Sequence, residues 1–465
     1  MQNSQDYPGY VAAAYAGLTK NRLRQKMNPH WQERRGRESA APVLAANRVA
    51  SPAAAAVVMR VALAYSEFQV MALYRPRGYF PKKVDYDTEM PLLPQLLSPF
   101  FGKVLGELAF ASYAAMTAPE APPLSFLSLG AGRACLDHDL IAHVTGGSLQ
   151  LPGYEAQAEA LRKDAAFRVT DLGEKAVSLA RKELAGVISS PKLRRRVRVE
   201  AMDALDFALP EEPFGVVYSN ELIDNLPAEP VISLEGALYA VKVVAFARNG
   251  AGEAAGDTRL VEEHTPLRGV ISRERAQAMI DAEDFANLGF APVFVPLEYD
   301  AELGGRVRGL RSAARIDEGG FGGIYPVHIR LEDMFRSIRK SFRRGVVFII
   351  DYPSVRGGWH NWNLAVNIFR HYRFGNEDID FQIDPDQLVE VAERCGLRCA
   401  DSANLGTVMN KMKSLALTAG PEDIRRNMAV NGYPFSGESR EAYLAMHAEL
   451  ISQVAPAYEI ITFQF

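Results

Sequence analysis

The chain has 465 residues, with 52 Lys and Arg against 56 Asp and Glu and a net charge of -4. At a prior of about 100–200 residues per domain, that length exceeds one small core and suggests two or three packed units. The near balance of charge argues against a general nucleic-acid binder, and 48% hydrophobic with 23% charged residues is ordinary for a soluble globular enzyme.

The opening MQNSQDYPGY lacks the apolar core of a signal peptide. Residues 1–55 carry a basic cluster, Lys20, Arg22, Arg24 and Lys26, then Arg34, Arg35 and Arg37. It reads as a solvated helical face, or as a flap touching an acidic partner. From 55 to 117 apolar residues recur at helical spacing, in AAAVVMRVALAYSEFQVMALY and again in LLSPFFGKVLGELAFASYAAM. Pro52 and Arg60 interrupt the Ala/Val-rich stretch, and no window reaches about 18 uncharged apolar residues, so no membrane span is expected. TAPEAPP at 117–123 is a Pro-rich break.

From 124 the pattern alternates. LSFLSLGAG reads as a buried strand ending in glycines, and LDHDLIAHV as a helix. FRVTDLG, RVRVEAMDAL and FGVVYSNEL read as further strands, with the helix EKAVSLARKEL between the first two. RRGVVFIIDYP at 343–353 is a fifth strand after the helix LEDMFRSIRKSF. PDQLVEVAERCG is a helix stopped by Gly396, and EIITFQF is the last strand. Strands alternating with helices predict an α/β fold with a doubly wound parallel sheet. Residues 236–330 interrupt the alternation with strand-like LYAVKVVAFA, a polar turn at 249–256, the helical RERAQAMIDAEDFANLG and Gly-rich EGGFGG. The expected divisions are an N-terminal helical cover (1–120), a ligand-binding core (121–235), an insertion forming a substrate pocket or dimer contact (236–330), and the rest of the core (331–465).

Cys135, Cys395 and Cys399 give neither a disulfide framework nor a zinc-type pair. Cys395 and Cys399 read as small core residues, and a reducing cytoplasm is the expected compartment. His138 and Asp139 lack a third ligand at a supporting spacing, so no metal is expected, and no GxSxG hydrolase elbow is present.

SLGAGRA at 128–134 sits between a strand and a helix, where open α/β sheets bind ligands. Gly130 permits a tight turn, and Gly132 lets a ligand approach the backbone. Asp171, after the next strand, can hydrogen-bond ribose hydroxyls, and Asp203 can meet an adenine amino group. Ala131, Leu172, Ala204 and Asn220 sit beside these residues and are counted with them. NAD would want a third glycine at position 135, which is Cys. S-adenosylmethionine has no phosphate and fits the loop better; a plain structural turn is the alternative.

Several segments resemble one family. LSLGAGRACLDHDLI, FRVTDLGEKAVSLAR, VVYSNELIDNLP, RRGVVFIIDYP and FGNEDIDFQIDPDQLVEVAERCGL follow, in order, the pattern of the MidA-like class I methyltransferases. That family includes the mitochondrial arginine methyltransferase that helps assemble respiratory complex I. MALYRPRGYF and VDYDTEMPLLPQLLSPFFG resemble the family's N-terminal cover, and APAYEIITFQF its last strand. The resemblance implies a Rossmann-like fold, S-adenosylmethionine as cofactor with S-adenosylhomocysteine as product, and an arginine precedent. It also implies that Tyr79 and Thr88 line the cofactor cover. The chain departs from the family at Ser128, where an acid is usual, at Ala134, where a glycine is usual, and at Asn367 and Gln382, where the family has Arg and His.

SNELIDNLP at 219–227 gathers Asn220, Glu221, Asp224 and Asn225 where an apolar strand stops. Methyl transfer holds its nucleophile about 3–3.5 Å from the methyl carbon, in line with the breaking bond. A guanidinium has a delocalised lone pair and a pKa above about 12. A carboxylate can bind it bidentately, concentrate its charge on the far nitrogens and accept the released proton. Glu221 and Asp224 are the expected catalytic pair. Glu229, eight residues after Glu221, resembles the second glutamate of the protein arginine methyltransferase loop and is expected to bind substrate. Asp224 or Asn220 could instead cap a helix start. Asp351 and Tyr352 end the fifth strand and are expected to line the substrate pocket. WHNWN at 359–363 could stack on a guanidinium or pack in a core or dimer contact.

The expected function is S-adenosylmethionine-dependent methylation of a guanidino nitrogen, on free L-arginine or a related small molecule ahead of protein arginine. The alternatives are an assembly scaffold that keeps the fold without catalysis, and a natural-product O- or C-methyltransferase. Expected partners are the substrate and a second copy of the chain, with no nucleic acid and no membrane.

Overall fold

The computed structural model describes residues 46–49, 51–75, 78–82, 100–117, 123–147, 149, 153–188, 190–234, 236–248, 257–317, 323–353, 379–412, 421–430 and 439–465. The basic N-terminal cluster, Thr88, WHNWN and Asn367 lie outside them.

The strands are β1 (Leu63–Ala64), β2 (Leu124–Leu129), β3 (Ala166–Asp171), β4 (Val197–Ala201), β5 (Glu212–Asn220), β6 (Ala228–Leu234), β7 (Ala237–Ala247), β8 (Leu288–Pro296), β9 (Gly323–His328), β10 (Phe342–Asp351), β11 (Arg398–Asn404) and β12 (Glu459–Gln464). Seven of them form one sheet in the order β11-β12-β10-β5-β2-β3-β4. From β10 to β4 every pairing is parallel, and β12 runs antiparallel between β10 and β11. Both faces of these strands are covered, which is why β5 and β10 read as continuous apolar runs. The strand order reverses at β2, with β3 and β4 on one side and β5 and β10 on the other. The crevice of such a sheet opens at the carboxyl ends of the strands flanking that reversal.

One face of this sheet packs on the helices Phe100–Met116, Cys135–Thr145 and Glu174–Leu184 through Phe126, Phe167, Tyr218 and Phe348. The other face carries Leu127, Val217, Val347 and Ile349 against the helices Leu331–Ser341 and Pro385–Arg394. Helix Leu331–Ser341 buries Leu331, Met334, Phe335 and Ile338, the spacing that puts one stripe on the core. Cys395 and Cys399 sit half-buried at the rim of this second core rather than inside it, a correction to the sequence expectation.

The middle of the chain builds a separate antiparallel sheet, β1-β7-β6-β9, with β8 on the other edge of β7. Val231, Ala240, Tyr325 and Val327 face the main sheet's core. Ala228, Ile232, Val241, Val243 and Ile324 face the helix Tyr65–Tyr74. The helical period read through 54–74 breaks in the structure. Helix Pro52–Val61 ends at Ala62 in extended backbone, and Leu63 and Ala64 pair with Val243 and Lys242 of β7. The next helix then restarts at Tyr65, with Glu67 accepting from the Ala64 N–H at 3.0 Å. Among the described residues no helix is long and apolar enough to cross a membrane.

Candidate active site at the carboxyl edge of the parallel sheet

β2 ends at Leu129, and the chain then makes three left-handed residues in five: Gly130 (φ 68°), Gly132 (φ 54°) and Ala134 (φ 64°). A Cβ on Gly130 would lie 2.8 Å from Leu222 Cδ1, so the loop packs directly on the SNELIDNLP turn. A Cβ on Gly132 would meet no protein atom within 4 Å, so its backbone faces open space of the kind a ligand needs. Ala134, where the resembling family has glycine, takes the glycine-like conformation all the same.

Asp171 at the end of β3 holds this loop. Its carboxylate accepts the Gly132 N–H and the Gly173 N–H, each at 2.9 Å. The Ala131 N–H adds a 2.8 Å bond to the Thr170 carbonyl. Burial pushes the Asp171 carboxyl above its ordinary value, while the two loop amides pull it back. Beside it Leu172 is 48% exposed, an unusual place for a leucine unless something flat covers it. Asp203 spends one oxygen on its own turn, accepting the Leu205 N–H at 2.9 Å. The Pro81 carbonyl accepts from Lys175 Nζ at 3.4 Å, which brings the short helix Tyr79–Lys82 over the start of the helix after β3. Tyr79 in it is buried against Phe80.

Sequence reasoning missed Asp137. It lies in the first turn of the helix after the glycine loop and is 1% exposed. Its carboxyl accepts from Tyr218 Oη at 2.7 Å and bonds the Ser128 hydroxyl. Burial pushes it up to about 6. An acid therefore stands against Ser128, at the end of β2, even though the strand position itself holds a hydroxyl. The signal was there in CLDHDLI, as an acid on the buried face of an otherwise apolar helix turn.

At the other side of the crevice β5 runs to Asn220, paired with Ile350 of β10. The chain then turns at Glu221, whose φ is 51° although it is not glycine. Its N–H still bonds the Ile350 carbonyl at 3.0 Å, so Glu221 stands beside Asp351 at the ends of neighbouring strands. Asp351 is fully buried and binds the turn from below. It accepts the N–H groups of Ile223 (2.9 Å), Asp224 (3.2 Å) and Tyr352 (2.8 Å). Burial, with Glu221 nearby, pushes Asp351 up to about 8, against the pull of those three donors. Tyr458, entering just before β12, donates its hydroxyl to Glu221 Oε1 and is bonded in turn by the Tyr352 hydroxyl. Burial and Glu221 hold the Tyr458 phenol well above its ordinary value, so it remains a donor.

The other expected residues divide. Asp224 is buried, takes the Asn225 amide at 2.9 Å, and through its carbonyl binds the Phe381 N–H at 2.7 Å. Glu229 lies in β6, in the antiparallel sheet. Its carboxylate accepts the N–H groups of Tyr65 (3.3 Å) and Ser66 (3.1 Å), the Ser66 hydroxyl, and an ion pair with buried Lys242 at 3.5 Å. That is the capping of a helix start by an acid from another element. Among the described residues no group of three His, Cys, Asp or Glu side chains could hold a metal ion.

The chain as a whole has counterparts among known proteins. Residues 104–402 match a family described as "putative S-adenosyl-L-methionine-dependent methyltransferase". The chain belongs to this family. Two solved structures from Burkholderia thailandensis share the fold. One is an uncharacterised protein, 18% identical with a TM-score of 0.53, covering 90% of this chain and 94% of its own. The other is a candidate methyl transferase of the same superfamily bound to S-adenosyl-homocysteine, 17% identical with a TM-score of 0.54, covering 90% and 95%. None of the curated proteins matches. The protein is thus a methyltransferase of the Rossmann-like class I fold that uses S-adenosylmethionine. The open face at Gly132 is compatible with that cofactor.

Proposed function

We propose that this methyltransferase acts on a guanidino nitrogen, as a member of the MidA-like branch, with free L-arginine or a related small guanidine ahead of protein arginine. The observation that carries the reading is Glu221: a carboxylate on strained backbone, aimed by Tyr458, at the end of the strand beside the cofactor loop. Non-glycine residues in the left-handed region cost about 1–3 kcal/mol and collect at functional sites.

When bound, S-adenosylmethionine supplies an electrophilic sulfonium methyl. Gly132, Asp171, Leu172 and Asp203 would hold it. Glu221 then binds the acceptor's N–H groups, draws positive charge to the far nitrogens, and takes the proton released as one nitrogen is methylated. Burial, with Glu221 nearby, pushes Asp351 toward its neutral form. Asp224 shapes the turn, and Tyr352 backs Glu221 through Tyr458. Support for a small acceptor comes from the strand segment near Ile383, which bridges Pro353 and bonds Asp224 through Phe381, narrowing the crevice on that side.

Glu221→Gln is expected to keep calorimetric affinity for S-adenosylhomocysteine while turnover on L-arginine falls by at least about 100-fold. Turnover is followed by mass spectrometry after incubation with labelled cofactor, free arginine, other guanidines and a protein extract. Full turnover by the Gln variant would remove the assigned role, and label in protein alone would move the acceptor to protein arginine.

A further inference from the structure

β12 is antiparallel to β10, and this has a consequence at the site. Parallel strands bring their carboxyl ends to the crevice, whereas an antiparallel strand brings its beginning there. Glu459, the first residue of β12, is paired with Asp351, the last residue of β10. The residue before it, Tyr458, therefore arrives at the same edge as Glu221, from 237 positions away in sequence. Its backbone is fixed on both sides. The Tyr458 N–H bonds the Ala455 carbonyl at 3.1 Å, closing a short turn, and the Tyr458 carbonyl accepts the Leu405 N–H at 3.0 Å. Its ring is fully buried and lies 4.2 Å from the Tyr352 ring, centroid to centroid.

We infer that Tyr458 and Tyr352 form a phenol pair that positions the Glu221 carboxylate: Tyr458 donates to Oε1, and Tyr352 fixes Tyr458. The inference rests on the reading of Glu221 as the acceptor-binding carboxylate. Both tyrosines act through Glu221 and are positioning residues. A phenol donating to a carboxylate favours the charged form and fixes the rotamer of a flexible side chain. The titratable groups on the elements beside Glu221 are Asp351 and Tyr352 at the end of β10, Tyr458 and Glu459 at the start of β12, where Glu459 bonds Ser402 instead, and Asp224 on its own turn. Among them Tyr458 is the donor to the Glu221 carboxylate, and such a bond favours the charged form.

The test uses the full chain with Tyr458→Phe and Tyr352→Phe, each of which keeps the ring and its packing. Turnover on the best guanidine acceptor is measured between pH 5.5 and 9. Tyr458→Phe is expected to lower kcat about tenfold and to move the acid limb of the kcat profile to higher pH, with calorimetric affinity for S-adenosylhomocysteine unchanged. Tyr352→Phe, one bond further away, should shift the same limb the same way by less. An acid limb and kcat identical to those of the parent in both variants overturns the inference, while a strong Glu221→Gln effect would still stand. If Glu221→Gln itself retains turnover, the underlying reading fails instead. Should Tyr458→Phe fail to fold, the limb in Tyr352→Phe decides alone.

Discussion

Asp351→Asn separates the two jobs given to the acid at the end of β10. The carboxyl accepts three backbone N–H groups, two from the Glu221 turn and one from Tyr352. An amide keeps one oxygen and presents an NH2 group in place of the other. Either the Ile223 and Asp224 pair or the Tyr352 N–H then faces a donor. A buried unsatisfied N–H costs about 1–3 kcal/mol, so at pH 5 the variant is expected to be less stable by about that amount. The pH dependence has a definite sign. Asp351 is raised from its unfolded value near 4 to about 8 in the fold. Its protonated form contributes stability that is full below pH 4 and is lost as pH rises to about 8. The ceiling is about 1.4 kcal/mol per pH unit for one proton, and sharing with Glu221 lowers it. The variant has no such group, so its deficit in thermal midpoint should shrink steadily between pH 5 and pH 8. A deficit that stays constant across that window means Asp351 is ionised throughout and refutes the argument. Turnover should fall in the variant at every pH, because the turn carrying Glu221 loses its clamp.

Gly130→Ala and Gly132→Ala both place a Cβ at positive φ, at about 1–2 kcal/mol each, but only the first meets Leu222. Gly130→Ala is therefore expected to lower the thermal midpoint more, while Gly132→Ala mainly weakens S-adenosylhomocysteine binding in calorimetry; unchanged binding in the latter would take the ligand away from that face of the loop. Glu229→Gln should lower the thermal midpoint, since it weakens the cap on Tyr65 and Ser66 and leaves Lys242 with Asp300 alone at 2.7 Å. Its KM for the acceptor should not change, and a raised KM with unchanged stability would return Glu229 to the substrate pocket.

What could be read from the sequence was whatever repeats locally. β2, β5 and β10 announce themselves as apolar runs because both their faces are covered. The glycine loop and Asp171 follow from strand–loop–helix order. The antiparallel sheet was half hidden. Only β7 has an unbroken strand composition, whereas β6, β8 and β9 carry Pro230, Pro292, Pro296 and Pro326. Proline lowers a strand reading, yet here Pro230 faces Pro326 in the β6–β9 pair, so neither asks the other for a donor. Glu229 differs from Glu221 for another reason. Its spacing from Glu221 suggested a shared loop, but β6 starts between them and carries it into the second sheet. Tyr458 had no local signal, because what brings it to Glu221 is the direction of a strand that pairs across the whole fold.

Backbone strain ties these observations together. Among the described residues the non-glycine positions with positive φ are Ala134, Glu221 and Glu283. Glu283 closes the turn after helix Arg273–Asp281, where its N–H bonds the Ile280 carbonyl and a left-handed residue is ordinary. The other two flank the crevice, one in each wall. Such conformations persist only where the surroundings over-determine them. Ala134 is held by its N–H bond to Ala131 and by burial of its methyl, which glycine would forgo. Glu221 is held at its N–H by Ile350, at its side chain by Tyr458, and through the following turn by Asp351. Three strands, β5, β10 and β12, thus fix one residue in a conformation its own chemistry disfavours. A glutamate that served only to end a strand would need none of them, and relaxing to extended backbone would move its carboxylate off the carboxyl edge of the sheet.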